Sequence, residues 1–216
     1  AELASQNRQV PAELAGFSAA AESEVSLLRI DGLLVERLMS VQQLALRVRW
    51  TRDGMYHERA IGMRSESRTL LAYDALTVPS FTVPVLFGNR MDLLLGPIEG
   101  AEAGGSVVAS EALQEMHPLA DGRESIYRFD GGDAEQYWRI DGREVTIGRI
   151  AVSVRRTPRL RTTVFVGDLY FDVERRQLVA IRGVIEEAGG RRSVARRMLE
   201  SAVRTVGRIE IVMSEW

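Results

Sequence analysis

The chain has 216 residues, is 45% hydrophobic, balances 30 acidic against 28 basic side chains and contains no cysteine. The near-neutral charge provides no overall field to draw in nucleic acid, so no nucleic-acid partner is expected, and the lack of cysteine excludes thiol nucleophiles, disulfides and thiolate metal sites. Every basic residue is arginine, which also removes Schiff-base lysines and the P-loop lysine.

A composition this apolar can bury a core. Since β-rich chains of ~200 to 250 residues fold as one unit, a single β-rich domain over residues 1–216 is expected. No stretch approaches the ~18 consecutive apolar residues of a membrane-spanning helix, so no transmembrane segment is expected. The chain opens at Ala1 with neither a basic nor an apolar leader, as a mature exported protein or an excised domain would.

Gly16 cuts short a first element at residues 11–14, which reads as a short helical cap. From Phe17 onward, Ala19, Ala21, Ser23, Val25 and Leu27 alternate with Glu22, Glu24 and Ser26, the period-two pattern of a half-buried strand. Asp31 and Gly32 mark a turn. Over residues 38–50, Val41, Gln43, Ala45, Arg47 and Arg49 share one face, while Gln42, Leu44, Leu46, Val48 and Trp50 share the other. Arg52, Asp53 and Gly54 form a tight turn and residues 55–63 resume the alternation, which predicts a β-hairpin over 38–64.

Residues 70–100 are apolar but interrupted by Pro79, Pro84 and Pro97, which break helices and central strands. So hydrophobic and irregular a segment must face something dry. Leu76, Phe81, Val83, Leu86, Phe87 and Met91 are therefore candidates to line an apolar cavity, with plain core as the alternative. Residues 101–106 form a small-residue linker that includes Gly104, Gly105 and Ser106.

Residues 111–116 read as one helical turn before His117 and Pro118. The run Asp130-Gly131-Gly132-Asp133 reads as a hairpin turn between strands at 125–129 and 135–140. Further strands are expected at 144–155, 161–172 and 177–187, with turns at Asp141-Gly142, Thr157-Pro158 and residues 174–176. Spacing of roughly ten residues argues for an antiparallel meander. Val194, Ala195, Met198, Leu199, Ala202, Val203 and Val206 recur at helical spacing, predicting a C-terminal helix over 191–206 that ends at Gly207. Residues 208–216 alternate as a last strand that stops abruptly at Trp216, as a piece of a longer exported protein would. The expected fold class is mainly β (α+β): a curved antiparallel sheet or half-barrel with one C-terminal helix and short helical pieces.

Two histidines, His57 and His117, cannot form a three-histidine metal site, and neither has a ligand at i, i+4. No metal or cofactor is expected. Gly-x-Ser-x-Gly and the glycine-rich phosphate loops are absent. Glu22 with Glu24, and Asp168 with Asp172, are candidate carboxylate pairs for a hydrolase; solvated strand faces paired with arginines are the plainer account. Arg191, Arg192, Arg196, Arg197 and Arg204 read either as a basic amphipathic helix for anionic lipid or as the solvated face of a helix packed on the sheet.

The strand pair at 41–50 and 57–63, the crossing from Val78-Pro79 to Val83-Pro84-Val85-Leu86, and the hairpin of residues 166–173 with residues 178–183 together resemble the bacterial lipoprotein-carrier family and its exported relatives. The resemblance implies a curved sheet wrapped around helices with an apolar cavity for acyl chains. It also implies a periplasmic or outer-membrane-associated location in a bacterium. The expected function is thus a non-catalytic cell-envelope domain binding a lipid, acylated or other apolar ligand. The alternatives are a periplasmic scaffolding or docking domain for an envelope protein partner, with no ligand, and a carboxylate-based hydrolase.

Overall fold

A computed structural model of the chain describes residues 3, 6–7, 9–30, 36–53, 56–67, 79–83, 86–87, 90–95, 113–120, 122–155, 163–187 and 203–216. Their strands are β1 (Gly16–Ile30), β2 (Glu36–Thr51), β3 (Tyr56–Ser67), β4 (Pro79–Val83), β5 (Arg90–Leu95), β6 (Leu113–Met116), β7 (Tyr127–Ile140), β8 (Arg143–Val154), β9 (Thr163–Asp172), β10 (Gln177–Glu187) and β11 (Val203–Glu215). A 3₁₀ turn occupies Arg123–Ser125. Eight strands form an open, curved antiparallel sheet in the order β3-β2-β1-β11-β10-β9-β8-β7, and β4-β5-β6 form a second sheet. The last strand, β11, pairs with β1 on one side and β10 on the other, joining the N-terminal strands to the C-terminal meander.

Period-two alternation explains the main sheet. Ala19, Ala21, Ser23 and Val25 of β1 fall in register with Leu46 and Val48 of β2 and with Ile209, Ile211 and Met213 of β11, and all of them are buried. Burying each large apolar side chain contributes ~1.5–3 kcal/mol relative to leaving it in water. Phe17 stacks on Trp50 at 5.8 Å between ring centroids and meets Phe87 edge-on at 5.7 Å. On β9 and β10, Gly167 and Gly183 face each other, and the Phe165 ring lies against the gap they leave.

Local polar groups set the turns. Asp141 and Gly142, at φ 52° and 73°, link β7 to β8 with the doubly left-handed backbone of a two-residue hairpin. Between β9 and β10 the Asp172 carboxylate accepts the Glu174 and Arg175 N–H groups at 2.8 and 3.0 Å. The fully buried Asn7 braces the same corner: its Oδ1 accepts the Leu178 N–H at 2.7 Å and its Nδ2 donates to the Arg176 carbonyl at 2.8 Å.

The structure corrects several expectations. Residues 11–14 form a turn closed by the Leu14 N–H on the Pro11 carbonyl at 3.1 Å, not a helical cap. The proline-rich segment contains strands β4 and β5. Pro79 is tolerated because it is the first residue of an edge strand, where its missing N–H breaks no ladder. Residues 113–116 are strand β6, paired with β5 from Arg90↔Met116 to Leu93↔Leu113, rather than a helical turn. Asp130-Gly131-Gly132-Asp133 is not a turn but a bulged stretch inside one continuous β7. Gly131 and Gly132 supply φ 92° and 120°, and a Cβ on Gly131 would lie 2.7 Å from the Arg149 carbonyl oxygen.

The predicted C-terminal helix is overturned where it can be compared. Val203 to Val206 extend β11 against Arg29, Leu28, Leu27 and Ser26 of β1, and Gly207 lies buried between Val25 and Ile185 instead of capping a helix. Pairing along β1 ties alternate residues of this stretch into the antiparallel ladder, which outweighs a helical spacing of apolar residues. Residues 191–202 lie outside the described residues, as do the turns at Asp31-Gly32 and Thr157-Pro158. Among the described residues no helix is long and apolar enough to cross a membrane.

Candidate functional site

An open trough of about 740 Å³ crosses five neighbouring strands of the main sheet, β3, β2, β1, β11 and β10. Its lining side chains share one face of the sheet, the apolar Ala45 and Val184 and the charged Glu22, Glu24, Arg64, Arg182, Arg208 and Glu210, while Leu44, Met63 and Ile209 line it only with backbone and turn their side chains to the opposite face, where Ile209 is core. Strand register explains why these residues meet. Gly62, Ala45, Glu22, Glu210 and Arg182 are successive partners across the sheet, and Arg64, Gln43, Glu24, Arg208 and Val184 form the adjacent row. Gly62 and Ala45 leave space that longer side chains would fill.

The charged lining is matched in sign. Arg182 pairs with Glu210 at 2.5 Å, and this hydrogen bond holds the Arg182 guanidinium above its ordinary pKa against the opposing effect of burial. Glu24 accepts from Gln43 Nε2 at 2.7 Å and lies 3.6 Å from Arg208. One strand beyond the trough, Asp168 sits opposite Arg182 in the ladder and pairs with Arg149 at 3.1 Å. Glu22 lies directly opposite Glu210, a like-charge contact eased by Arg182 on the far side. Half-exposed pairs such as Arg182–Glu210 are worth ~0–1 kcal/mol, so a ligand's polar group can exchange with them at little cost.

The residues singled out from the sequence go elsewhere. Leu86 and Phe87 are buried at 1% and 7% exposure within the hydrophobic core and do not line the trough. Phe81 and Val83 fall on β4 and Met91 on β5, while Leu76 and the Gly104-Gly105-Ser106 stretch lie outside the described residues. The candidate carboxylates are tied into the fold: Asp168 to Arg149, Asp172 to the backbone of its turn, and Glu24 to Gln43 and Arg208. Buried His117 accepts the Leu119 N–H on Nδ1 at 3.1 Å, and His57 is exposed on β3 opposite Arg49. Among the described residues no group of three histidines or carboxylates is placed to hold a metal ion.

Arg182, Val184, Arg208 and Glu210 escaped notice in the sequence. The available signal was their outward phase in two alternating strands. Their approach to Glu22, Glu24 and Gln43 depends on β11 pairing with β1, a contact across most of the chain's length. No family model, curated protein or solved structure matches the chain.

Proposed function

We propose that the chain is a non-catalytic binding domain whose curved sheet holds an amphiphilic ligand, a lipid or an acylated molecule, in the trough across β3, β2, β1, β11 and β10. The observation that carries the reading is the trough itself. Its volume of about 740 Å³ falls within the ~300–1,000 Å³ typical of small-molecule sites. Ala45 and Val184, with Gly62 beside them, leave an apolar strip for part of an acyl chain, and the arginine–glutamate pairs suit a polar head group. Placement at a bacterial cell envelope belongs to the same proposal and rests on the sequence resemblance. A lipid cavity is thereby relocated from the proline-rich segment, where Leu86 and Phe87 fill core, to the main sheet.

The test is uptake of an environment-sensitive apolar dye and its displacement by fatty acid or phospholipid. Val184→Glu puts a carboxylate into the trough opposite Arg208, where it gains a partner without entering the core. Saturable dye uptake by the parent protein, reduced at least tenfold by Val184→Glu at unchanged melting temperature, is the expected result. Uptake that is absent, or indifferent to that substitution, would overturn the reading. A docking role without ligand is the second reading, favoured by the exposed Ile61 and Met63 on edge strand β3 and the exposed Tyr137 on edge strand β7.

A further inference from the structure

Three glutamates and three arginines line the trough, but their charges do not cancel within it. Arg182 pairs with Glu210 at 2.5 Å and Arg208 lies 3.6 Å from Glu24, while Arg64 is engaged by Glu66 from outside the lining. Glu24 also accepts from Gln43 Nε2 at 2.7 Å and from Ser26 Oγ at 3.4 Å. Glu22 is left over: it makes neither an ion pair nor a side-chain hydrogen bond among the described residues. One uncompensated negative charge therefore sits on β1, the middle of the five strands that the trough crosses.

Strand register leaves Glu22 in this position. Across the ladder it faces Ala45 on β2, which has no charge, and Glu210 on β11, which has the same charge. Directly opposed carboxylates ~5 Å apart repel, and Glu210 turns to Arg182 on its far side instead. On the β2 side, Ala45 and Gly62 leave the sheet bare beside Glu22. Arg47, diagonal to Glu22 on β2, lies outside the lining and forms no ion pair with it. A single free carboxylate does not make a metal site, and among the described residues no group of three histidines or carboxylates is placed to form one.

We propose that the trough selects an amphiphile whose polar end carries a primary ammonium group, seated against Glu22 in the space over Ala45 and Gly62. The inference rests on the trough reading and adds to it the charge of the group that the trough takes. An ammonium group has three donors, so it can pair with Glu22 and reach Glu210 across the ladder, which turns a like-charge contact into a shared one. A carboxylate or phosphate in the same place would meet Glu22 and gain no arginine of the lining that is not already paired. The chemistry is that of an aminated lipid head group or of a free long-chain amine.

The test is displacement of a neutral apolar dye from the full chain by dodecylammonium and by dodecanoate, which share a chain length and differ in head-group charge. An exposed ion pair is worth up to about 5-fold in affinity and the anion meets repulsion instead, so dodecylammonium should compete on the order of 10-fold better. The ratio should shrink as salt rises. Glu22→Gln should bring it to within about 2-fold of unity. The melting temperature of that variant should be unchanged or higher, because Glu210 loses its like-charge neighbour. Glu58→Gln makes the same change in net charge on the core face of the sheet, across from Val48, and should leave the ratio as it is. Phosphatidylethanolamine that competes better than phosphatidylglycerol identifies a lipid head group as the source of the ammonium; competition by dodecylammonium without that preference identifies a free amine. Absent dye uptake would overturn the trough reading and this inference together. Saturable uptake in which dodecanoate competes equally, or a ratio that survives Glu22→Gln or falls equally with Glu58→Gln, would overturn this inference alone.

Discussion

Asn7→Ala tests how the fold closes its β9–β10 corner. The Asn7 side chain is fully buried, donates to the Leu3 and Arg176 carbonyls at 2.8 Å each, and accepts the Leu178 N–H at 2.7 Å. Leu178 is 1% exposed, so alanine leaves its N–H buried without that partner. An unsatisfied buried donor costs ~1–3 kcal/mol, and the lost contribution of the two donated bonds brings the expected destabilisation to about 2–4 kcal/mol. For a chain of this size that corresponds to roughly 5–12 °C in melting temperature. Thermal and urea unfolding followed by circular dichroism would measure it.

Asn7→Asp sharpens the test. The carboxylate keeps an acceptor for Leu178 but loses both donors and buries a charge. Burial raises the carboxyl pKa in the folded state above its unfolded value of ~3.9. The deficit is therefore largest above the folded pKa and shrinks as pH falls through it, because the protonated carboxyl regains a donor. A loss under about 1 kcal/mol for Asn7→Ala, or a deficit for Asn7→Asp that grows on acidification, would refute the latch.

Further substitutions probe the packing beneath the trough. Gly183→Ala would bring a Cβ within 2.4 Å of both the Phe165 ring and the Val166 carbonyl oxygen. A backbone oxygen cannot step aside, so a loss of about 3 kcal/mol or more is expected in urea titration. Tyr127→Phe keeps the buried ring but removes the hydroxyl that accepts the Phe165 N–H at 3.2 Å, which should cost about 1–2 kcal/mol. Hydrogen exchange at Phe165 should accelerate in that variant and remain unchanged at Leu178.

The hairpin of β2 and β3, the long strand β1 and the β8-β9-β10 meander were legible in the sequence from their period-two alternation and the turn residues between them, although β3 itself is exposed throughout residues 57–66. The errors have local physical causes. Glycines 131 and 132 look like a turn, since the left-handed backbone that a turn uses also serves a bulge. Val203 and Val206 fit a helical spacing, but sheet partners on both sides of β11 decide its conformation near Gly207. The sequence places Arg47 and Arg49 on one face with Gln43 and Ala45. It gives no sign of the one-residue shift at Ile61 that brings Arg59 and His57 opposite them. The trough was likewise hidden, because its two halves lie in strands far apart along the chain and meet through the β1–β11 pairing.

The trough is tested most directly by native mass spectrometry of the protein purified from a bacterial envelope fraction, followed by organic extraction of whatever it carries. A lipid or acylated species that co-purifies reproducibly with the parent protein and is lost from Val184→Glu is the result expected of an amphiphile-binding trough. A clean unliganded mass for both proteins, together with no dye uptake by the parent, would contradict it.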